Sequence, residues 1–364
     1  MMNTENKPNL YMDAVMKRNM NRPPVWFMRQ AGRYHAHYQA MKKRYTFLEL
    51  CKIPEAAAEV TFGPIDDFNF DAAILFSDLL FPLEVLGMGL DYVPGPKLEW
   101  HLTDKASLSK LNPMKKSPLE LVNEISYQGK ALQLIRSKLA KEKSLLGFVG
   151  GPLTLFYYAV AGSHQASTAE GGKGLKDAYA GLTDGRYEGF FDVLLPLLVE
   201  NMCLQASSGA DAVAMMDTCA GEVEPAVFRE LIVPTIREVL VQFRRRHPNT
   251  PVVYYSKGTG PTHWQHLYSL PFECLGIDWN YPIVNALQEF GDRWSIQGNF
   301  DPNLMILPEA QCMKEIEKFF EPVLKLPSEK LKGWVCGLGH GVLQWTPEKN
   351  VRNFLKYQKE VFAK

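Results

Sequence analysis

Residues Val25 to Tyr34 read Val-Trp-Phe-Met-Arg-Gln-Ala-Gly-Arg-Tyr, an apolar run that ends in Arg29 and continues into a turn containing Gly32. A short apolar run bounded by turn residues is typical of a buried strand. The polar residue at its end is the informative part, because the same arrangement recurs along the chain. We therefore predict a strand over Val25–Met28 as the first member of a repeated pattern.

Seven further apolar runs follow, and most of them end in a polar or glycine residue. They are Ala72–Phe76, Leu145–Val149, Ala212–Met216, Val252–Tyr255, Cys274–Ile277, Trp294–Ile296 and Trp334–Leu338. The segments between them have helical features, either a proline-then-acid start or apolar residues at helical spacing. These segments include Pro54–Glu59, Leu119–Leu139, Val193–Ser207, Pro225–Phe243 and Cys312–Phe320.

Strand and helix alternation repeated eight times predicts an α/β fold, a single-domain (β/α)8 TIM barrel over residues 1–364 with 1–20 as an N-terminal extension and helix. In such barrels the active site lies at the C-terminal ends of the strands, where polar strand-end residues converge. A doubly wound open sheet is the alternative, but no Gly-x-Gly-x-x-Gly follows an early strand. The loop over Ser163–Gly174 is rich in glycine and small polar residues, which predicts a lid near the cleft.

The composition excludes several classes of protein. The 40 Lys and Arg residues balance the 40 Asp and Glu residues, and nucleic-acid binding needs a basic surface. The six cysteines have no metal-ligand spacing, and residues 1–9 are polar with no signal-like apolar region. The most apolar long stretch, Ala72–Leu90, carries charged residues that a membrane span would lack. We expect a cytoplasmic protein that binds neither nucleic acid nor a membrane.

Arg29 and Arg33 flank the glycine turn at the end of the first predicted strand. A planar guanidinium binds carboxylates and phosphates through two parallel hydrogen bonds. For a single arginine, an ion pair with a nearby Asp or Glu is the simpler interpretation. Two arginines around one glycine turn favour an anion-binding site.

Asp78 and His340 each follow an apolar run. A carboxylate at the end of a strand as apolar as Ile74–Phe76 is costly unless it meets donors or a positive charge. Asp78 is therefore either a ligand-binding acid that stabilises positive charge or a structural acid that caps the next helix. His340 has glycines on both sides, which leaves the imidazole open to a ligand, although a lone histidine is often structural.

Tyr158 and Thr218 are weaker candidates on residue chemistry alone. Tyr158 follows a glycine-rich strand end and suits a core position as well as a binding site, and Thr218 could begin a helix. The paired histidines, His35-x-His37 and His263-x-x-His266, lack further ligands at metal-site spacing, and no Walker A or Gly-x-Ser-x-Gly motif is present. The sequence therefore predicts a site without a metal or cofactor that binds a polyanionic small molecule.

Seven stretches of the chain resemble motifs of the uroporphyrinogen decarboxylase family. They occur in order over nearly the whole length: Pro24–Tyr34, Asp71–Asp78, Gly147–Tyr158, Asp217-Thr218, Leu275–Trp279, Gln297–Pro302 and Leu338–Gly341. Each motif alone is weak, but together they are highly specific. The resemblance implies a (β/α)8 barrel and a homodimer that removes four acetate carboxylates from uroporphyrinogen, a polycarboxylate tetrapyrrole, without a cofactor.

The resemblance also implies roles for the residues of the first two motifs. Asp78 would bind the pyrrole N–H groups and stabilise the protonated pyrrole that forms before CO2 leaves. Arg29 and Arg33 would hold substrate carboxylates, with Arg29 the candidate proton donor. The residues between the two arginines complete the predicted substrate-binding turn: Gln30, Ala31 and Gly32.

Three residues of the later motifs receive implied roles as well. Tyr158, Thr218 and His340 would orient the remaining acetates and propionates of the substrate. Tyr158 and His340 join Asp78, Arg29 and Arg33 in the implied catalytic set.

The chain departs from the family pattern at several positions. His35-Ala36-His37 stands where Leu-Pro-Glu is usual, and Lys42 where an arginine is usual. Further changes are Gly63 for glutamine, Leu153 for tryptophan and Gly337 for asparagine. These changes leave two alternatives open, a diverged family member with a related substrate and a non-catalytic porphyrinogen-binding protein. Related methyltransferases that use cobalamin or coenzyme M have a His-x-Cys zinc motif, which this sequence lacks.

Overall fold

The computed structural model describes residues 9–18, 21–92, 95–163 and 174–363. Within these ranges seven strands form one curled parallel sheet, and two short strands form a separate antiparallel hairpin. In chain order the strands are β1 Ala72–Ile74, β2 Asp91–Tyr92, β3 Pro96–Lys97, β4 Ser144–Gly150, β5 Ala212–Asp217, β6 Val252–Ser256, β7 Cys274–Ile277, β8 Ser295–Phe300 and β9 Trp334–Leu338. The large sheet has the order β1-β4-β5-β6-β7-β8-β9.

Helices connect these strands, as parallel pairing requires. The α-helices are α1 Leu10–Val15, α2 Ala36–Lys42, α3 Phe47–Lys52, α4 Pro54–Phe68, α5 Phe81–Leu83, α6 Pro118–Glu124, α7 Tyr127–Lys138, α8 Pro152–Ala161, α9 Gly174–Ala180, α10 Arg186–Ser207, α11 Pro225–Val227, α12 Val233–Arg246, α13 Pro261–Trp264, α14 Ile283–Glu289, α15 Glu309–Val323, α16 Ser328–Leu331 and α17 Glu348–Phe362. Shorter 3-10 turns span Ala106–Lys110, Ala220–Glu222, Gln265–Leu267 and Pro302–Ile306, and π-helical turns span Glu84–Met88 and Phe228–Ile232.

The predicted helices are confirmed, two of them with breaks. The segment Leu119–Leu139 is divided into α6 and α7 around residues 125 and 126, and Pro225–Phe243 becomes α11, a π-helical turn and α12. Pro234 explains the second break, because it lies in the first turn of α12 and cannot donate a hydrogen bond to the preceding turn. A helix entering such a proline adopts a wider turn locally.

The prediction of a strand over Val25–Met28 is wrong in extent, because only Val25 pairs, through a parallel bridge to Cys336 in β9. Pro24 and its neighbour Pro23 lack backbone N–H donors, and the chain turns after Trp26, where Gln30 N–H binds the Phe27 carbonyl. The short segment 24–26 nevertheless contacts both edges of the sheet. Cys336 N–H binds the Pro24 carbonyl at 2.9 Å, and Asp71 N–H, just before β1, binds the Val25 carbonyl at 2.9 Å.

The concave side of the sheet holds a closely packed apolar core. Its buried side chains include Trp26, Leu146, Met216, Val253 and Val335, and each stabilises the fold by about 1.5–3 kcal/mol when it leaves water. The short helix α1 covers one end of this core, where the hydroxyl of Tyr11 and the indole N–H of Trp26 both donate to Gln297. Asp78, Thr218 and His340 follow β1, β5 and β9, so they lie toward the other, C-terminal end of these parallel strands.

The helix α10 is long and apolar enough, by length and composition, to cross a membrane. Half of its apolar window is buried inside the protein, where α10 packs against α6 and α12. Its apolar composition is therefore accounted for by packing within the fold. The predicted lid, Ser163–Gly174, falls largely on residues 164–173, which lie outside the described residues.

Candidate functional site

The segment that follows β1 carries Asp78 and is held by two helices. Thr61 of α4 accepts the N–H of Phe76 at 3.2 Å, and Gln128 of α7 donates to the Ser77 hydroxyl at 2.9 Å. Asp78 accepts the N–H of Leu80 at 2.9 Å, which is the local turn bond expected of a structural acid. These contacts fix the position of the carboxylate at the C-terminal end of β1.

The surroundings of Asp78 disfavour its charge. Burial raises the pKa of Asp78, while contacts with Tyr92, with the Leu80 N–H and with the charge of Arg29 oppose that rise only in part. Asp78 is still partly accessible to solvent, so a ligand can reach it. A carboxylate of this kind interacts strongly with any positive charge brought to it.

Arg29 and Arg33 lie on the turn that follows the sheet-bridging segment. Both side chains are exposed, and among the described residues neither forms an ion pair with an acid within 4.0 Å. Arg29 has a left-handed backbone, with φ of 59°, and a side-chain atom added at Gly341 would lie 2.5 Å from its Cδ. Glycine at 341 therefore leaves room for Arg29 to lie across the loop after β9.

The two arginines differ in what surrounds them. Burial raises the pKa of Asp78, Tyr158 and Tyr255, and the charge of Arg29 opposes that rise at each of them. Arg33 instead acts on Tyr38 of α2, whose ring lies 5.6 Å from that of Phe76. Arg29 is therefore close enough to Asp78, Tyr158 and Tyr255 to act on their charges, whereas Arg33 acts on Tyr38.

The residues between the arginines hold the turn together. Gln30 is buried, and its side-chain amide donates to the Ala72 carbonyl of β1 at 3.0 Å. Ala31 is half-buried beside it. A Cβ on Gly32 would lie 3.0 Å from the Arg29 carbonyl, so a side chain would crowd the turn. Gln30 therefore fixes the turn to the sheet through its side chain, and its predicted ligand contact stays a prediction.

Tyr158 lies on α8, which begins with a proline directly after Gly151 at the end of β4. Burial raises the pKa of Tyr158, and nearby Cys219 and Asp78 raise it further. The hydroxyl therefore stays protonated at neutral pH and can act as a hydrogen-bond donor. The charges of Asp78 and Arg29 both act on Tyr158, so Tyr158 lies near the predicted acid.

Thr218 follows Asp217, the last residue of β5. Thr218 is half-buried and lies against the thiol of Cys219. Cys219 in turn lies near enough to Tyr158 to raise the pKa of that tyrosine, after burial. Asp217 is completely buried and accepts hydrogen bonds from the hydroxyls of Thr154 at 2.7 Å and Tyr254 at 3.0 Å. Burial raises the pKa of Asp217 to about 6. Asp217 therefore stabilises the end of β5, next to Thr218, through these hydrogen bonds. Neither of the two partners carries a positive charge.

His340 follows β9 and lies against Tyr255 of β6. The two rings are parallel within 3°, with centroids 6.1 Å apart, and the tyrosine oxygen lies 3.3 Å from Nδ1 of His340. A side chain at Gly337 would overlap the Trp26 carbonyl, so glycine there permits the close approach of the bridging segment. Gly337 therefore has a packing role. The residue that contacts His340 is Tyr255.

Two tyrosines of the cleft were missed from the sequence. Tyr255 lies at the end of a strand whose tyrosine pair is equally consistent with core packing. Tyr92 lies in the β2–β3 hairpin, which no pattern predicted, and it opposes the rise in the pKa of Asp78 that burial causes. At standard hydrogen-bond geometry its buried hydroxyl has no partner among the described residues, so Tyr92 acts on Asp78 from nearby without a well-formed hydrogen bond. Only the fold brings either residue to the site.

The altered residues after the arginine turn are in contact with one another. A Cβ added at Gly63 would overlap the ring of His37, so the imidazole occupies the space that a larger residue at 63 would fill. His35 is buried, and its Nε2 lies 2.7 Å from Asp67. Burial lowers the pKa of His35. The departures at positions 37 and 63 therefore compensate each other in volume, since the ring of His37 in α2 fills the space left by the small residue at 63.

Comparisons of the sequence with known proteins point to one family. A family model described as uroporphyrinogen decarboxylase (URO-D) matches residues 6–361. The protein named uroporphyrinogen decarboxylase from Geobacter sulfurreducens is 34% identical over 342 residues, which cover 94% of this chain and 95% of that protein. Its namesake from Pelobacter propionicus is 33% identical over 343 residues, with the same coverage.

A solved structure shares the fold. A methyltransferase from Methanosarcina mazei superposes with a TM-score of 0.75 over 97% of this chain and 99% of that protein. The sequences are 17% identical, so the likeness concerns the fold alone.

Proposed function

The chain belongs to the uroporphyrinogen decarboxylase family, and we propose that it converts uroporphyrinogen III to coproporphyrinogen III by removing four acetate carboxylates. One observation carries this proposal. Two exposed arginines that form no ion pair among the described residues occur at the same strand ends as the desolvated carboxylate of Asp78. A polycarboxylate with an N–H-rich centre matches both halves of the cleft. The reaction belongs to porphyrin and haem biosynthesis and uses no cofactor.

Asp78 supplies the charge that the reaction needs. Loss of CO2 leaves an electron pair that requires a sink, and a pyrrole protonated on carbon is such a sink. The carboxylate of Asp78 stabilises this cation more than the neutral pyrrole, which lowers the barrier rather than only tightening binding. Desolvation of Asp78 strengthens the effect, because the charge acts in a medium of low dielectric constant.

The arginines bind and orient the carboxylates of the substrate. Each charge-assisted contact contributes about 1.5–3 kcal/mol. Arg29, whose charge reaches Asp78, is the proton donor of the proposed mechanism. Arg33 holds a peripheral carboxylate together with the turn residues that follow Arg29.

Tyr158, Thr218 and His340 orient the remaining acetates and propionates. Tyr158 is protonated at neutral pH, as an ordinary tyrosine is, and burial raises its pKa further. Thr218 offers a hydroxyl at the end of β5, and His340 offers a ring nitrogen at the end of β9. Together these residues line the cleft on the sides that the arginines leave open.

The proposed architecture is a single-domain eight-stranded barrel in which the segment 24–26 closes the sheet. The hydrogen bonds of this segment to Cys336 in β9 and to Asp71 before β1 support closure. Closure gives the strand ends one common mouth, which is where the proposed substrate binds.

The proposed protein is a cytoplasmic homodimer that acts on a small molecule and binds neither nucleic acid nor a membrane. The six cysteines are free and buried, which suits a reducing compartment. Trp345, in the loop after His340, is 75% exposed, and a second copy would shield such a side chain from water. Sedimentation of the full chain tests the dimer directly.

The activity assay incubates the purified protein with uroporphyrinogen III under anaerobic conditions and separates the products by their number of carboxylates. We expect coproporphyrinogen as the final product, with intermediates that have lost one to three carboxylates. Folded protein that yields no product would contradict the proposed function. Substrate binding without turnover would indicate the non-catalytic alternative instead.

A further inference from the structure

Tyr255 is the residue of β6 that faces His340. Tyr255 is 1% exposed and belongs to the apolar core on the concave side of the sheet. Its hydroxyl lies 2.8 Å from the carbonyl oxygen of Gly339 and 3.3 Å from Nδ1 of His340. One buried hydroxyl thus contacts two successive residues of the loop after β9.

The number of protons on these atoms decides the direction of both contacts. A tyrosine hydroxyl has one proton, and a backbone carbonyl can only accept. The shorter contact therefore takes the proton of Tyr255, which donates to Gly339. The tyrosine oxygen then offers only lone pairs to His340, so the proton between them must belong to Nδ1.

We propose that Tyr255 is a positioning residue that holds His340 in the Nδ1-protonated tautomer, so that Nε2 is the nitrogen that gains and loses the second proton. The role of His340 in orienting a carboxylate rests on the proposed function. With Nδ1 held by Tyr255, the charged ring donates to that carboxylate from Nε2. The parallel rings keep the imidazole plane fixed during this exchange.

The acceptor of the tyrosine proton is itself held in place. Gly339 N–H donates to the Phe300 carbonyl of β8 at 2.8 Å, and a Cβ on Gly339 would lie 2.6 Å from the backbone nitrogen of Trp279. The Gly339 backbone is therefore wedged between the ends of two strands, and its carbonyl cannot turn away. Burial and the nearby Asp278 raise the pKa of Tyr255, so the hydroxyl keeps its proton.

Nuclear magnetic resonance of the substrate-free protein, labelled with 15N in its histidines, tests the proposal. Two-bond proton–nitrogen correlations at alkaline pH show which ring nitrogen carries the proton, and the His340→Asn variant assigns the signal by its loss. We expect His340 in the Nδ1-protonated form, which free histidine disfavours. In Tyr255→Phe we expect that form to be lost and KM for uroporphyrinogen to rise about tenfold with a smaller change in kcat.

Tyr187→Phe is the matched control. It also removes a buried tyrosine hydroxyl, one that lies 2.8 Å from the Thr235 hydroxyl between α10 and α12. We expect this variant to keep both the tautomer of His340 and the KM of the parent. A loss of packing alone would lower the active fraction, and hence kcat, without moving either quantity.

Two results would overturn the inference: an Nε2-protonated His340 in the parent protein, or an unchanged tautomer in Tyr255→Phe. The parent measurement does not need the Tyr255→Phe variant, so it tests the inference even where Tyr255→Phe does not fold. The tautomer is measured without substrate, so the two proposals fail separately. Absence of decarboxylase activity would contradict the proposed function, whereas the tautomer of His340 would still test the role of Tyr255.

Discussion

Two groups of polar residues lie at the strand ends of this protein, and they are used differently. At β7 and β8, Asp278 accepts the N–H groups of Gly258 at 2.6 Å and Asn280 at 2.9 Å, and Asn299 donates to two backbone carbonyls at 2.6 Å. At the bridging segment and β1, Arg29 and Arg33 form no ion pair within the part of the chain that the structure describes.

The difference separates structural from ligand-binding residues. A buried polar group whose hydrogen bonds are all made within the protein ties loops together and has little left for a ligand. Charged groups that have no ion-pair partner within the protein keep their hydrogen-bond donors available for a ligand. The first group should therefore govern stability and the second activity.

Removing both arginines should have the largest effect. In the double variant Arg29→Gln/Arg33→Gln, loss of two charge-assisted contacts should lower kcat/KM by about 10²–10⁴-fold, since each contact contributes about 1.5–3 kcal/mol. Steady-state kinetics under anaerobic conditions measure the change. Because both side chains are exposed, the midpoint of urea denaturation should stay close to that of the parent.

The exposed Arg229→Gln is a control for the loss of a surface charge, since Arg229 pairs only with its neighbour Glu230 among the described residues. It should leave kcat/KM unchanged. If the double variant kept the parental kcat/KM, the arginine turn would not be the carboxylate-binding half of the cleft.

Asp217 lies between the two groups and should control the pH dependence of stability. Burial raises its pKa from 3.8 to about 6, so the folded protein favours the protonated form. The stabilisation is fully present below about pH 4 and is lost as the pH rises through 6, a change of about 3 kcal/mol. Urea denaturation across this range should show a shallower pH dependence in Asp217→Asn. If the free energy of unfolding had the same pH dependence in both proteins, Asp217 would not carry a buried charge that destabilises the fold.

Asp278→Asn should have the smallest effect, and on stability alone. The amide cannot accept both backbone N–H groups, so unfolding should become easier by about 1–3 kcal/mol. Most of the decarboxylase activity should remain, measured below the denaturation temperature of the variant. Loss of activity at unchanged stability would move Asp278 into the ligand-binding group.

The sequence predicted the positions of seven strands because apolar runs bounded by turn residues depend on local burial alone. It predicted too long a strand at Val25–Met28, because the bridging role of residues 24–26 depends on both edges of a curled sheet. The sequence also led to the expectation that Asp78 and Arg29 lie near each other, since polar strand-end residues converge, and the charge of Arg29 does act on Asp78. The contacts of Tyr92 and Tyr255 could not be predicted from the sequence. A tyrosine in an apolar strand pattern is expected in the core whether or not its hydroxyl contacts a site residue.

The same limit explains the altered residues. His37 and Gly63 appear as separate departures in the sequence, twenty-six positions apart. Only the packing of α2 against α4 shows that the ring of His37 fills the space above Gly63. A change that looks like divergence of the site is therefore a local exchange of volume beside it.

The central claim is that the charge of Asp78 accelerates decarboxylation, and the Asp78→Asn variant tests it most directly. The amide keeps the size of the side chain but removes the charge that stabilises the protonated pyrrole. Single-turnover kinetics with uroporphyrinogen III should show a rate at least about 100-fold below that of the parent. Stability should be equal or higher, because burial disfavours the charged form of Asp78. A variant that is well folded and decarboxylates at the parental rate would contradict the claim.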